Sequence, residues 1–136
     1  MQLTKKAGYG LIAVLELAAS SGKDPISAAA IAEKYKLPPA FVGKILHQLK
    51  NAGLISAKQG CSGGYVFALE PSDVSVRSVL EALGESLDLV GCIDVASDCS
   101  LASVCPTKAV WSELDKKFKR LFESLSLHDI IATDHD

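Results

Sequence analysis

Apolar residues recur at helical spacing through most of this chain, and the places where the pattern breaks mark out its elements. From Thr4 onward, Leu11, Val14, Leu15 and Ala18 fall on one stripe of a long helix that Thr4 can cap and Gly22 can stop. Asp24-Pro25 forms a turn. Ser27 can cap a short second helix, Ala28 to Tyr35, with Ile31 and Ala32 turned inward. Leu37-Pro38-Pro39 interrupts the chain, and a third helix starts near Pro39, since the first turn tolerates proline. Its Val42, Ile45, Leu46 and Leu49 lie at i, i+3, i+4 and i+7, and Gly53 ends it. A short strand, Leu54 to Lys58, and a returning strand, Tyr65-Val66-Phe67, flank the glycine-rich turn Gln59 to Gly64, where glycine takes positive φ without steric cost.

Three helices followed by a hairpin predict a winged helix-turn-helix over residues 1–70, with the hairpin as its wing. Beyond it, Ser75 can cap a fourth helix, Val76 to Leu83, with Gly84 just past its end. From Asp88 to Val104 the chain is small, polar and cysteine-bearing, and reads as a loop. Pro106 opens a last long helix with Trp111, Leu114, Phe118, Leu121, Phe122 and Leu125 as its apolar positions; Ser126 to Ile131 adds a short helix before a polar tail. The expected fold class is mostly α with one small β-hairpin.

Composition narrows the function. Hydrophobic residues make up 49% and charged residues 22% of the 136, as in an ordinary globular protein rather than a disordered one. No apolar run approaches the roughly 18 residues of a membrane span, and the N-terminus lacks the apolar stretch and cleavage site of a signal peptide. The expectation is a cytoplasmic protein with no membrane partner, in a compartment that keeps its four cysteines reduced. The net charge of −2 hides a division. Residues 1–66 hold eight lysines against three acids, a net of +5, whereas residues 67–136 hold six bases against thirteen acids, a net of −7. A basic half joined to an acidic half points to a polyanion as the partner of the first.

In a helix-turn-helix the second helix enters the major groove and its outward residues reach base edges. With Val42, Ile45, Leu46 and Leu49 inward, the outward set is Ala40, Gly43, Lys44, His47, Gln48 and Asn51. Lys44 suits guanine or phosphate and Gln48 suits adenine. Lys34, Lys36 and Lys50 are placed for phosphates, and Lys58 and Gln59 of the wing for the minor groove. The plainer alternative is that Lys44 and Gln48 are ordinary solvated surface, since amphipathic helices with a hairpin also build protein–protein modules.

Cys92, Cys99 and Cys105 follow no zinc-ribbon or ferredoxin spacing, yet three thiols in a small-residue, polar loop read better as ligands or redox thiols than as buried hydrophobes. Cys105 precedes a helix N-terminus, where the dipole favours a thiolate. Cys61 sits in the wing turn and is read as a turn residue. Nothing supports catalysis: there is no phosphate loop, no nucleophile with an evident base and no acid–base pair.

Taken together, the opening Met1-Gln2-Leu3-Thr4 with Tyr9, the stretch Leu46 to Leu54, the wing Gly60-Cys61-Ser62-Gly63-Gly64-Tyr65 and the three-cysteine segment followed by Ala109-Val110-Trp111 resemble the bacterial iron–sulfur-cluster transcription regulators that include IscR, NsrR and RirA. The resemblance covers roughly residues 2–131. It implies a homodimer on double-stranded DNA with a pseudo-palindromic site, joined through the long helix, so that residues 71–136 form a cysteine loop and dimerisation region. It also implies an iron–sulfur cluster on Cys92, Cys99 and Cys105, [2Fe–2S] in the first place and [4Fe–4S] as the alternative. The chain departs from the pattern at Lys108, where the IscR type carries a histidine, and at Gln59, where an arginine is common. Asp94, Asp98, the partner subunit, solvent or a small thiol can supply a fourth ligand. The competing expectation is a regulator of the same fold that senses through thiols or zinc without a cluster.

Overall fold

A computed structural model of the chain describes residues 4–20, 24–60, 63–87 and 106–133. In these the element order is α1 (Lys5–Ala19), α2 (Ala28–Tyr35), α3 (Pro39–Asn51), β1 (Ile55–Lys58), β2 (Gly64–Phe67), a 3-10 turn (Pro71–Asp73), α4 (Val76–Ala82), α5 (Lys108–Ser124) and α6 (Leu127–Thr133). Four helix starts carry side-chain caps, one of them that of α6, where the Asp129 N–H donates to the Ser126 hydroxyl at 3.1 Å. The backbone N–H groups of Ala7, Ala30 and Ser78 donate to the hydroxyls of Thr4, Ser27 and Ser75 at 3.4, 3.1 and 3.1 Å; each such cap is worth about 1 kcal/mol. α1 ends at Ala19, where Ser20 N–H turns back to the Leu17 carbonyl. Gly22, expected as the stop, lies outside the described residues. α5 opens two residues after Pro106, and α6 runs on to Thr133, past the expected end at Ile131.

The turn between α2 and α3 is made by a left-handed lysine. Lys36 has φ 55°, a region that costs a non-glycine residue roughly 1–2 kcal/mol. It closes α2 by donating to the Ala32 and Glu33 carbonyls, and Leu37 N–H reaches the Ala32 carbonyl at 2.8 Å. α3 begins with proline at its first position and ends with Gly53 at φ 84°, whose reversal sends the chain directly into β1.

The antiparallel pair β1–β2 sets Ile55 opposite Phe67 and Lys58 opposite Gly64. Ile26, in the approach to α2, bridges Tyr65 of β2: Ile26 N–H donates to the Tyr65 carbonyl at 3.0 Å and Tyr65 N–H to the Ile26 carbonyl at 2.8 Å. Backbone this close admits no side chain at the next position. A Cβ on Gly64 would stand 2.6 Å from the Ile26 carbonyl carbon and oxygen and 2.8 Å from Ser27 N.

One main core joins the helices and the sheet. Val14 and Leu17 of α1, Ile31 of α2, Val42, Ile45, Leu46 and Leu49 of α3, Ile55 of β1, Val79 of α4, Leu83 and Leu127 are all buried there. Each such side chain contributes about 1.5–3 kcal/mol relative to exposure. A smaller core holds Ala7, Val76, Leu80 and Leu87, with Phe122 of α5 and Ile130 of α6 packed on it. The α5–α6 junction is sewn to the start of α4 by two backbone bonds of 2.9 Å, Val76 N–H to the Leu125 carbonyl and Leu127 N–H to the Val74 carbonyl. Thr4 also donates to the Glu85 carboxylate.

Gly64→Ala has no room to relax, because the obstacle is backbone. It is expected to lose about 1–3 kcal/mol of stability, read as a lower urea midpoint with an unchanged slope.

Candidate nucleic-acid interface

α3 has two faces of opposite character. Val42, Ile45, Leu46 and Leu49 are at most 1% exposed. On the other side Ala40, Lys44, His47 and Asn51 are exposed, with Gly43 and Gln48 half-buried between them. The six residues expected to face a groove therefore share one outward surface. The small side chains leave an open trough of about 620 Å³ on it, lined by Ala40, Gly43, Lys44, His47 and Gln48. Gly43 stands inside a helix, where glycine costs about 0.5–1 kcal/mol relative to alanine. Packing does not demand it, since a Cβ there would meet nothing within 4 Å.

Contacts with α1 reach both α3 and its neighbour α2. Tyr9 of α1 meets Phe41 edge to face, ring centroids 5.6 Å apart and planes at 81°. Glu16 of α1 takes hydrogen bonds from Lys34 Nζ at 2.7 Å and from the Tyr35 hydroxyl at 2.5 Å, tying α2 to α1. Burial pushes the Glu16 carboxyl upward, but its bonds to Lys34 and Tyr35 prevail and hold it below the usual range. The same bond from Glu16 raises the Lys34 ammonium. Lys34 thus has an internal anion as its partner, which the sequence reading, placing it with Lys36 and Lys50 against phosphates, did not anticipate. Lys36 and Lys50 are exposed, as are Lys58 at the end of β1 and Gln59 beyond it.

α5 is amphipathic with its apolar stripe turned outward. Trp111, Leu114, Phe118, Leu121 and Leu125 follow one another at alternating intervals of three and four residues and are all exposed, Leu121 to 64%. That interval is the period of a helix seam facing another helix. Phe122, off this line, turns back to the small core. The buried residue of α5 is instead Asp115, 4% exposed, with Lys119 Nζ at 2.9 Å. The apolar positions of α5 were visible in the sequence, but a carboxylate one turn away gave no sign of being the inward residue. Arg77 of α4 reaches α5 through its contact with Glu123 at 3.0 Å, while also holding Glu81 at 2.6 Å. Trp111 Nε1 donates to Thr107 Oγ1 at 3.1 Å, and the Thr107 side chain does not cap the helix.

Cys61, Cys92, Cys99 and Cys105 lie outside the described residues. Among the described residues no three His, Cys, Asp or Glu side chains are grouped to hold a metal ion, and no helix is long and apolar enough to cross a membrane. The cysteine segment runs between Leu87, buried in the small core, and Pro106 before α5; Lys108 is exposed in the first turn of that helix.

This arrangement has close counterparts. An HTH-type transcriptional regulator of Synechocystis sp. is 37% identical over 130 residues, 96% of this chain and 87% of its own length. The structure of CymR, the global cysteine regulator of B. subtilis, superimposes with a TM-score of 0.79 at 26% identity, covering 97% of each chain. That of T. potens IscR gives a TM-score of 0.75 at 28% identity, covering 99% of this chain and 89% of the other. The sequence profile of the Rrf2 family, described as iron-dependent transcriptional regulators, matches residues 3–133. A winged helix-turn-helix carrying an outward-facing α3, matched from end to end by that profile, belongs to the Rrf2 family of transcriptional regulators.

Proposed function

We propose that this chain is a sequence-specific DNA-binding regulator that acts as a homodimer. α3 enters the major groove at each half of a pseudo-palindromic site, and Cys92, Cys99 and Cys105 hold an iron–sulfur cluster that controls binding. The observation that carries the DNA reading is the outward face of α3, six residues with no role in the core, on a helix whose other face is buried to within 1%. Lys44 and Gln48 reach base edges, Ala40 and Gly43 let the backbone approach, and Lys36, Lys50 and Lys58 meet phosphates. Gln59, with Lys58, enters the minor groove beside the wing. Two exposed α5 seams packed together remove Leu114, Phe118 and Leu121 from water and set the distance between the two α3 helices, about one turn of DNA, 10–10.5 bp, or a multiple.

The chemistry of the donor set supports the cluster: three thiolates suit iron–sulfur ligation. When bound, the cluster supplies a centre sensitive to iron supply and redox state. The cysteine segment is placed to pass on its own reshaping, since one end continues from Leu87, packed beside Ala7 of α1, and the other leads into the dimer helix. Lys108 does not complete the set, because a protonated amine has no lone pair; the fourth donor comes from Asp94, Asp98, the partner subunit, solvent or a small thiol. The likeness to CymR, described as a cysteine regulator, favours a second reading in which the same thiols act without a cluster.

Three outcomes are expected. Lys44→Ala and Gln48→Ala each cost about 1–3 kcal/mol of specific DNA affinity in gel shift or anisotropy titration, with unchanged thermal stability. Leu121→Glu, at a position 64% exposed in the protomer, keeps its helical circular dichroism but sediments as a monomer. Anaerobically purified protein is red-brown with bound iron and sulfide, and Cys92→Ala loses both; a colourless protein with stoichiometric zinc, or with neither metal nor sulfide, establishes the cluster-free reading instead. Absence of sequence-selective DNA binding in every form ends the proposal as a whole.

A further inference from the structure

We propose that the trough on α3 seats the 5-methyl group of a thymine in each half-site, which makes Gly43 a specificity-determining residue. This rests on the reading of α3 as the groove-entering helix. The walls of the trough are mostly carbon: the Ala40 methyl, the bare Gly43 backbone and the stems of Lys44 and Gln48, with His47 completing it. A base edge pressed against such a wall with a bare donor or acceptor would leave that group without a partner, which is costly. The major groove offers one apolar group among its base edges, the thymine methyl.

The glycine supplies an independent argument. A side chain at position 43 would collide with nothing inside the protein, the space above its Cα being open within 4 Å. The residue there weakens its helix relative to alanine, with no gain in packing. What it preserves is the trough. Alanine at 43 would put its own methyl where the thymine methyl is seated, so one carbon on the protein replaces one on the DNA.

The test uses the full-length protein and a duplex selected by the wild type from a randomised pool. Each thymine of that duplex is replaced in turn by deoxyuridine, which deletes the methyl and keeps the hydrogen-bonding edge. For the wild type, one symmetry-related thymine in each half-site should stand out, its replacement weakening binding about three- to five-fold per half-site, the worth of one buried methyl. For Gly43→Ala the preference should reverse, since two methyls then compete for one space on the thymine duplex and the uracil duplex leaves room for the new one, while the variant melts no lower than the wild type. Uniform indifference of the wild type to every deoxyuridine overturns the inference while leaving the DNA reading intact. So does a thymine preference that survives in Gly43→Ala, or an equal loss by the variant on both duplexes. Failure to select any duplex removes the DNA reading and this inference together.

Discussion

The burial of Val42, Ile45, Leu46 and Leu49 against α1, α2 and β1 governs everything else in the molecule. Four side chains on one stripe fix the rotation of α3 about its own axis. A helix turned by one residue, 100°, would bring Lys44 or Gly43 toward the core and strand an apolar residue in water, at a cost of a few kcal/mol. The outward set is the complement of that packing, and its geometry is inherited from the core rather than stabilised by contacts of its own.

The same logic explains what was legible in the sequence. The spacing of the inward residues of α3 identified its outward face residue by residue, because burial and period are one signal. The caps Thr4, Ser27 and Ser75 marked helix starts correctly, since a hydroxyl three residues ahead of a free N–H is a local feature. Contacts between residues far apart were not legible. Glu16 and Lys34 are 18 positions apart, and nothing local tells a lysine that meets phosphate from one that meets a carboxylate. The bridge of Ile26 to Tyr65 involves backbone only, so no side-chain pattern announces it. Asp115 stands beside the apolar positions of α5 in the sequence, with no local sign that the fold buries it.

α5 poses the opposite problem to α3. Its apolar residues face solvent in the single chain, and its contacts run to α4 and, through Phe122, to the small core. An apolar stripe of this size on one helix is the kind of surface that marks an interaction site, which is why the proposed function places a second copy of the chain on it. Charge divides along the same line: residues 1–66, which carry α3, are net basic, and residues 67–136, which carry α5, are net acidic.

The backbone bridge from Ile26 to β2 reaches further than its two hydrogen bonds suggest. Because the wing is fastened to the lead-in of α2, and α2 through Glu16 to α1, the hairpin and α3 form one rigid reader whose internal spacing cannot adapt. On the proposed dimer, any mismatch between that spacing and straight B-form DNA would fall on the duplex, at the base pairs around the dyad that neither copy of α3 touches. Such steps would be selected by how easily they twist and bend, which would extend the sequence requirements of that site to positions without a single protein contact.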